Sequence, residues 1–129
     1  MGDRQRVSSG ALWEESVGYS RAVRVGNQVW VAGTTASVVD GDPVGGDDAY
    51  AQTREALRRV VAALAEVGAG PADVVRTRMY VTDIACWAEV GRAHGEVFAD
   101  VRPVATMVEV SALIDRHLLV EVEAEAVIA

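Results

Sequence analysis

The sequence predicts a single α/β domain of the α+β kind, with one mixed sheet and two helices packed on one of its faces. Three observations predict it. A Gly-Asn pair separates two strand-like runs near the N-terminus, two middle segments carry apolar residues at helical spacing, and the last third alternates apolar and charged residues with a period of two. The implied order is hairpin, helix, strand, helix, strand, strand, in which the two helices cover one sheet face and leave the other open.

Residues Gln5 to Trp13 have little period and begin with a short strand. The runs Tyr19 to Val25 and Gln28 to Ala32 flank Gly26-Asn27, a pair that suits positive φ at both positions, and form a β-hairpin. From Gly33 to Asp48 the chain is rich in Gly, Asp, Thr and Ser, with Asp40-Gly41-Asp42-Pro43 as turn chemistry, and reads as loop. Asp47 or Asp48 caps the next element, in which Thr53, Ala56, Leu57, Val60, Val61, Leu64 and Val67 recur at helical spacing. A helix therefore runs from about Ala49 to Val67, and Gly68 and Gly70-Pro71 end it. Val74 to Thr82 is a strand with Val75, Thr77, Met79 and Val81 on one face and Arg76, Arg78 and Tyr80 on the other. A second helix, roughly Cys86 to Phe98, carries Trp87, Val90, His94 and Val97 along one stripe. Arg102-Pro103 breaks away into a strand from Val104 to Ser111, Ala112 to Arg116 turns the chain, and Leu118 to Ile128 is the last and longest strand.

The open face carries the question of function. With Thr106, Val108 and Val110 under the helices, Ala105, Met107, Glu109 and Ser111 join Glu121, Arg76 and Arg78 on that face. Such a mixture is neither a dry core nor ordinary surface. It reads as a subunit interface with polar pockets, hence an oligomer.

Composition removes several classes. The chain of 129 residues has 50% hydrophobic residues, enough for one core, and no apolar run near the roughly 18 residues a membrane span needs. The N-terminal Met1 to Arg6 leads into no apolar signal-like run, and the single cysteine, Cys86, fits a reducing compartment, so a cytoplasmic location without membrane contact is expected. A formal charge of −7 opposes nucleic acid as a partner. All basic side chains are arginine, which leaves the terminal amine as the one candidate for trapping a carbonyl as a Schiff base. Two histidines and one cysteine match no zinc spacing, and no phosphate loop or nucleophile elbow is present, so no metal or other cofactor is implied.

Gly18-Tyr19, the strand ending Val31-Ala32-Gly33, the run Asp73 to Asp83, Arg102-Pro103, Val108-Glu109-Val110, Leu113 and the run Val120 to Ala124 together resemble the RidA family, also called YjgF/YER057c/UK114. The resemblance spans nearly the whole chain. It implies a chorismate-mutase-like domain, a homotrimer with ligand clefts between neighbouring subunits, and cofactor-free hydrolysis of reactive enamines and imines to a keto acid and ammonia. Deaminating members carry an arginine two residues after the proline that grips the substrate carboxylate, and here that position is Ala105. Met107 replaces a frequent cysteine, and Gly91 and His94 stand where an asparagine and an aromatic residue are common. The chain thus resembles a divergent member lacking the substrate-carboxylate arginine.

The resemblance makes Glu121 the active-site glutamate, whose burial in a cleft raises a carboxyl pKa towards the range that suits proton transfer. The alternative pairs Glu121 and Glu123 with Arg76 and Arg78 on the sheet. Tyr19 matches a family tyrosine at the cleft edge, a second catalytic candidate. Gly33 allows close backbone approach to a ligand. Arg78 either replaces the missing anchor from a neighbouring strand or pairs with Glu109 or Glu123. His94, Ala105 and Met107 complete the substrate-binding set. His117 lies in a solvated turn, and Cys86 beside a helix start has the setting for a lowered thiol pKa but no base beside it.

The reading is a small-molecule enzyme that hydrolyses an imine or enamine, or catalyses a related tautomerisation or cyclisation, in an inter-subunit cleft. Its rival is a trimer that binds a small apolar ligand without turnover. Nuclease or translation-inhibiting activity, sometimes attached to the family, is opposed by the acidic charge.

Overall fold

The alternating run at the C-terminal end is the middle of the sheet, not its edge. In the computed structural model, which describes residues 4–129, the strands β1 (Arg4–Val7), β2 (Ala22–Val25), β3 (Gln28–Thr34), β4 (Val74–Val81), β5 (Val104–Glu109) and β6 (Val120–Val127) pair in the order β1-β2-β3-β6-β4-β5. Every neighbouring pair is antiparallel except β4 and β5. A parallel pair needs a long crossover, here provided by helix α2 (Trp87–Phe98). Helix α1 (Ala49–Glu66) packs against α2, β3 and β6, so both helices cover one face as the sequence predicts.

Residues 1–3, with the terminal amine and the start of the Met1 to Arg6 segment, lie outside the described residues. Among the described residues no helix is long and apolar enough to cross a membrane.

The core forms between α1 and the inward side chains of the central strands. Val120, Val122, Ala124 and Ala126 of β6 meet Leu57, Val60 and Leu64 of α1, and all are at most 2% exposed. The alternation that buries them turns Glu121, Glu123 and Glu125 to the open face. Both ends of α1 follow the local chemistry. The Asp48 carboxylate accepts from the Ala51 N–H at 3.1 Å. Gly68, at φ +83°, lets the Gly68 and Ala69 N–H groups bond back to Ala65 and Leu64, closing a Schellman turn.

Several expectations change. At the hairpin only Gly26 takes positive φ, at +61°, so the turn has glycine at its first central position, the type II′ arrangement. The β4 register shifts between Val74 and Arg76, which leaves Val75 46% exposed and gives its core place to Val74. Trp87 opens the helix after a short 3₁₀ turn, Ile84–Cys86, and is 61% exposed rather than part of the buried stripe, which Val90, Ala93 and Phe98 form. The faces of β5 are the reverse of those expected. Met107 pairs with Met79 and packs on the core, while Val108, paired with Tyr80, is exposed. As a parallel neighbour β5 inherits its facing from β4, and its own sequence is apolar on both sides.

One buried polar residue joins three parts of the fold. Gln52 on α1 is fully buried. Its Nε2 donates to the carbonyls of Gly46 at 2.6 Å and His117 at 2.9 Å, and its Oε1 accepts from the Leu119 N–H at 2.9 Å. The loop before α1 and the entry to β6 are therefore held by one side chain. Gln52→Leu leaves a buried N–H and two carbonyls unpaired, and urea unfolding should show a loss of about 3 kcal/mol with little change in the denaturant slope.

Candidate functional site

Three carboxylates on β6 face two guanidinium groups on β4 across the open face, because the register sets Glu121 against Tyr80, Glu123 against Arg78 and Glu125 against Arg76. Arg76 Nε lies 3.1 Å from Glu125, and Arg78 lies 3.8 and 3.9 Å from Glu123 and Glu125. The Tyr80 hydroxyl turns away from its register partner and donates to Glu123 at 2.8 Å. Glu121 is left without a hydrogen-bond or ion-pair partner among the described residues.

Its carboxylate rests instead on the backbone of β3. The β3–β6 ladder is irregular between Val31 and Thr34, and a Cβ at Gly33 would lie 2.2 Å from Glu121 Oε2. With the carboxylate in this place, only a hydrogen fits on the Gly33 Cα. Burial, followed by the charge of Glu123, pushes the Glu121 carboxyl above the ordinary glutamate range, while Arg21 pulls the other way. Arg21 Nη1 donates to the Gly33 carbonyl at 2.9 Å and to Thr34 Oγ1 at 3.0 Å.

A cleft of about 970 Å³ opens at this end of the sheet, and Tyr19, Arg21, Gly33 and Glu121 all line it. Its wall is the segment before β2, where Glu14 accepts from the Ser9 N–H at 2.8 Å and from the Ser9 hydroxyl. Trp13 and Val17 of that segment line the cleft together with Ala62 and Ala63 of α1 and with Ile114. Arg58 and Arg59 also line it, but both bind Glu55, whose carboxyl the Arg58 bond holds at about 2. The two guanidiniums share that one carboxylate. Arg21 shares the cleft with Glu121 and is the guanidinium whose charge acts on that carboxylate.

The family model described as endoribonuclease L-PSP matches residues 12–128. The crystal structure of Rv2704 from Mycobacterium tuberculosis, a member of the YjgF/YER057c/UK114 family, superposes with a TM-score of 0.89 at 57% identity, covering 98% of this chain and 100% of that one. The chain belongs to the RidA (YjgF/YER057c/UK114) family. Its fold is accordingly the chorismate-mutase-like one. An uncharacterized protein of Streptomyces coelicolor is 48% identical, covering 95% of this chain and 90% of that protein. At greater distance, the 3-aminoacrylate deaminase RutC of Acinetobacter baylyi is 29% identical over 84% of this chain and 85% of its own length.

The RidA-type residues named from the sequence fall into two groups within one chain. Tyr19, Gly33 and Glu121 share the cleft. His94, Ala105 and Met107 lie at the α2–β5 edge on the helix side of the sheet, where Thr77 joins them: Thr77 is the register partner of Ala105, and its Oγ1 lies 2.8 Å from His94 Nε2. Burial lowers the His94 pKa, so the ring is neutral at neutral pH. Arg78 stands between the groups in the carboxylate ladder, the second of its two expected roles. Burial raises the Cys86 thiol pKa, with Asp83 and Glu89 adding to the effect, contrary to the lowering expected at a helix start. His117 is exposed beside Asp115.

Arg21, Trp13 and the α1 wall escaped the sequence reading. A signal for Arg21 was present, since it stands two residues after Tyr19 and shares its side of the chain by strand periodicity.

Two outcomes follow from the seat of Glu121. In Gly33→Ala the strain of a turned side chain and the entropic gain of alanine are each about 1 kcal/mol and oppose one another. Stability should hardly change while a crystal structure finds the Glu121 carboxylate moved off β3. In Glu121→Gln the charge disfavoured by burial is gone. A carboxyl with a raised folded-state pKa stabilises below its unfolded pKa and loses that contribution as pH rises through the folded value. Thermal melts should therefore show the variant more stable than the parent at neutral pH, with the advantage vanishing in acid.

Proposed function

We propose that the protein is a cofactor-free hydrolase of small imines or enamines, with Glu121 as the group that moves protons. The observation that carries this reading is the Glu121 carboxylate, partly buried in the cleft against Gly33, without a hydrogen-bond or ion-pair partner among the described residues, and with its pKa raised by burial. A general base works best with a pKa near the working pH. Glu121 takes a proton from water as the water oxygen bonds to the C=N carbon, and hands that proton to the nitrogen to give a carbinolamine. Glu121 then carries the carbinolamine hydroxyl proton to the nitrogen, the C–N bond breaks, ammonia leaves and the carbon becomes a carbonyl. Tyr19 donates to the substrate heteroatom at the cleft edge, and backbone N–H groups beside Gly33 polarise the reacting bond. The name of the Acinetobacter baylyi relative, a deaminase acting on an enamine, supports the same reaction class.

The assembly belongs to the proposal. Two groups of family-type residues on separate edges of one chain make sense if the α2–β5 edge of one subunit closes the Glu121 cleft of the next, as in a homotrimer. The exposed Trp30, Val104 and Val108 on the open face suit burial between subunits. Light scattering should return the mass of three chains.

Substrate choice follows from the walls. Ala105 offers no guanidinium to an α-carboxylate, and Trp13, Val17, Ala62 and Ala63 make an apolar surface beside the polar end. We read the substrate as an imine or enamine with an apolar body and no requirement for an α-carboxylate. A purely binding role draws on the same apolar wall, though Met107, turned to the core, does nothing to widen the cleft. The charge of −7 argues against RNA as the substrate.

The test follows the loss of semicarbazone from imines generated in situ, 2-iminobutanoate beside a carboxylate-free, apolar analogue. The parent should turn over the analogue faster, and Glu121→Gln should lower kcat/KM about 10²- to 10⁴-fold. Activity should fall on the acid side, with a limb above the ordinary glutamate range. Ala105→Arg should favour 2-iminobutanoate by roughly ten- to hundredfold. Saturable binding of the analogue without turnover would replace this reading by the binding one.

A further inference from the structure

We propose that Arg21 is the positioning residue of this cleft: it pins the break in β3 on which Glu121 sits and supplies the positive charge that acts on the Glu121 carboxylate. The inference rests on the reading of Glu121 as the working group.

The backbone of Arg21 is fixed on both sides, its N–H donating to the Val7 carbonyl at 2.7 Å and its carbonyl accepting from the Ala32 N–H at 2.9 Å. The side chain then turns to the irregular stretch of β3. Where the ladder to β6 breaks between Val31 and Thr34, Nη1 bonds both the Gly33 carbonyl and Thr34 Oγ1. The Thr34 hydroxyl passes the contact on to the Ala32 carbonyl at 2.7 Å. One guanidinium thus replaces the missing strand pairing at the glycine that carries the carboxylate.

Pinning alone does not call for a cation. A neutral donor satisfies a carbonyl and a hydroxyl, and Arg21 pays for its charge with an Nε–H that is buried without an acceptor. The group that requires the charge is Glu121. The charged groups that act on that carboxylate are Glu123 on its own strand and Arg21; Tyr80 on β4 has its hydroxyl committed to Glu123, and Tyr19 before β2 lines the same cleft, as do Arg58, Arg59 and Glu66 of α1 further along it. Glu123 adds a repelling charge, and the two α1 arginines share the Glu55 carboxylate, so that Arg21 is the arginine whose charge acts on Glu121. Arg21 is the group that lowers the Glu121 pKa against burial and Glu123.

The experiment reads Glu121 directly, without turnover. Glutamate side-chain carboxyls are labelled with ¹³C and titrated by NMR, the Glu121 resonance being the one absent from Glu121→Gln. Arg21→Gln, which keeps a donor and removes the charge, should move the Glu121 midpoint to higher pH, and Arg21→Lys should return it towards the parent value. Exchange of the Gly33 and Thr34 amides should quicken about tenfold or more in Arg21→Gln, from loss of charge-assisted hydrogen bonds. Where imine turnover is present, the acid limb of kcat/KM moves with the midpoint while the melting temperature changes little. An unmoved midpoint in Arg21→Gln, or a midpoint in Arg21→Lys displaced as far as in Arg21→Gln, overturns the proposal. Because titration needs no substrate, a protein without hydrolase activity still returns an answer.

Discussion

The structure depends on the two-residue period of β6. That strand alone pairs with both β3 and β4, so it joins the hairpin half of the sheet to the crossover half. Its even-numbered residues form the floor of the core, and its odd-numbered ones carry the charges of the open face. A slip of one residue would drive three carboxylates under α1 and expose the valines, a change no marginally stable domain survives. The same alternation that holds the core therefore fixes where Glu121 stands.

Within that frame Glu121 differs from its neighbours by what lies beside it. Glu123 and Glu125 meet arginines directly across the strand pair and become part of a solvated ladder worth little to stability. Glu121 has Tyr80 across from it and Gly33 on the other side, so no arginine meets it across the strand pair and a bare backbone lets it settle inward. Three carboxylates in one repeating pattern thus acquire different chemistry from the strands that flank them.

Elements whose evidence is local were legible in the sequence. Helix α1 announces its start with Asp48 and its end with Gly68, and the hairpin announces its turn with Gly26. Features set by a neighbour were not. The facing of β5 follows from β4, since Val104, Met107 and Val108 leave its own pattern ambiguous, and the displacement of Val75 depends on a register shift that no residue type marks. The site divides the same way. Family resemblance pointed to Glu121, Gly33 and Tyr19, which the fold brings into one cleft, whereas Arg21 gains its meaning from a break in β3 visible only in three dimensions.

The position of β6 has a consequence for how the chain is made. The strand that completes the centre of the sheet is synthesised after every other element. Until it emerges, β3 and β4 each present an unpaired edge, and α1 has no floor beneath its apolar stripe. Closure of the sheet therefore waits for β6, and the two open edges invite pairing with other chains in the interval. The alternating glutamates of β6 then serve a second purpose, since a charged face keeps the late strand soluble until it is inserted.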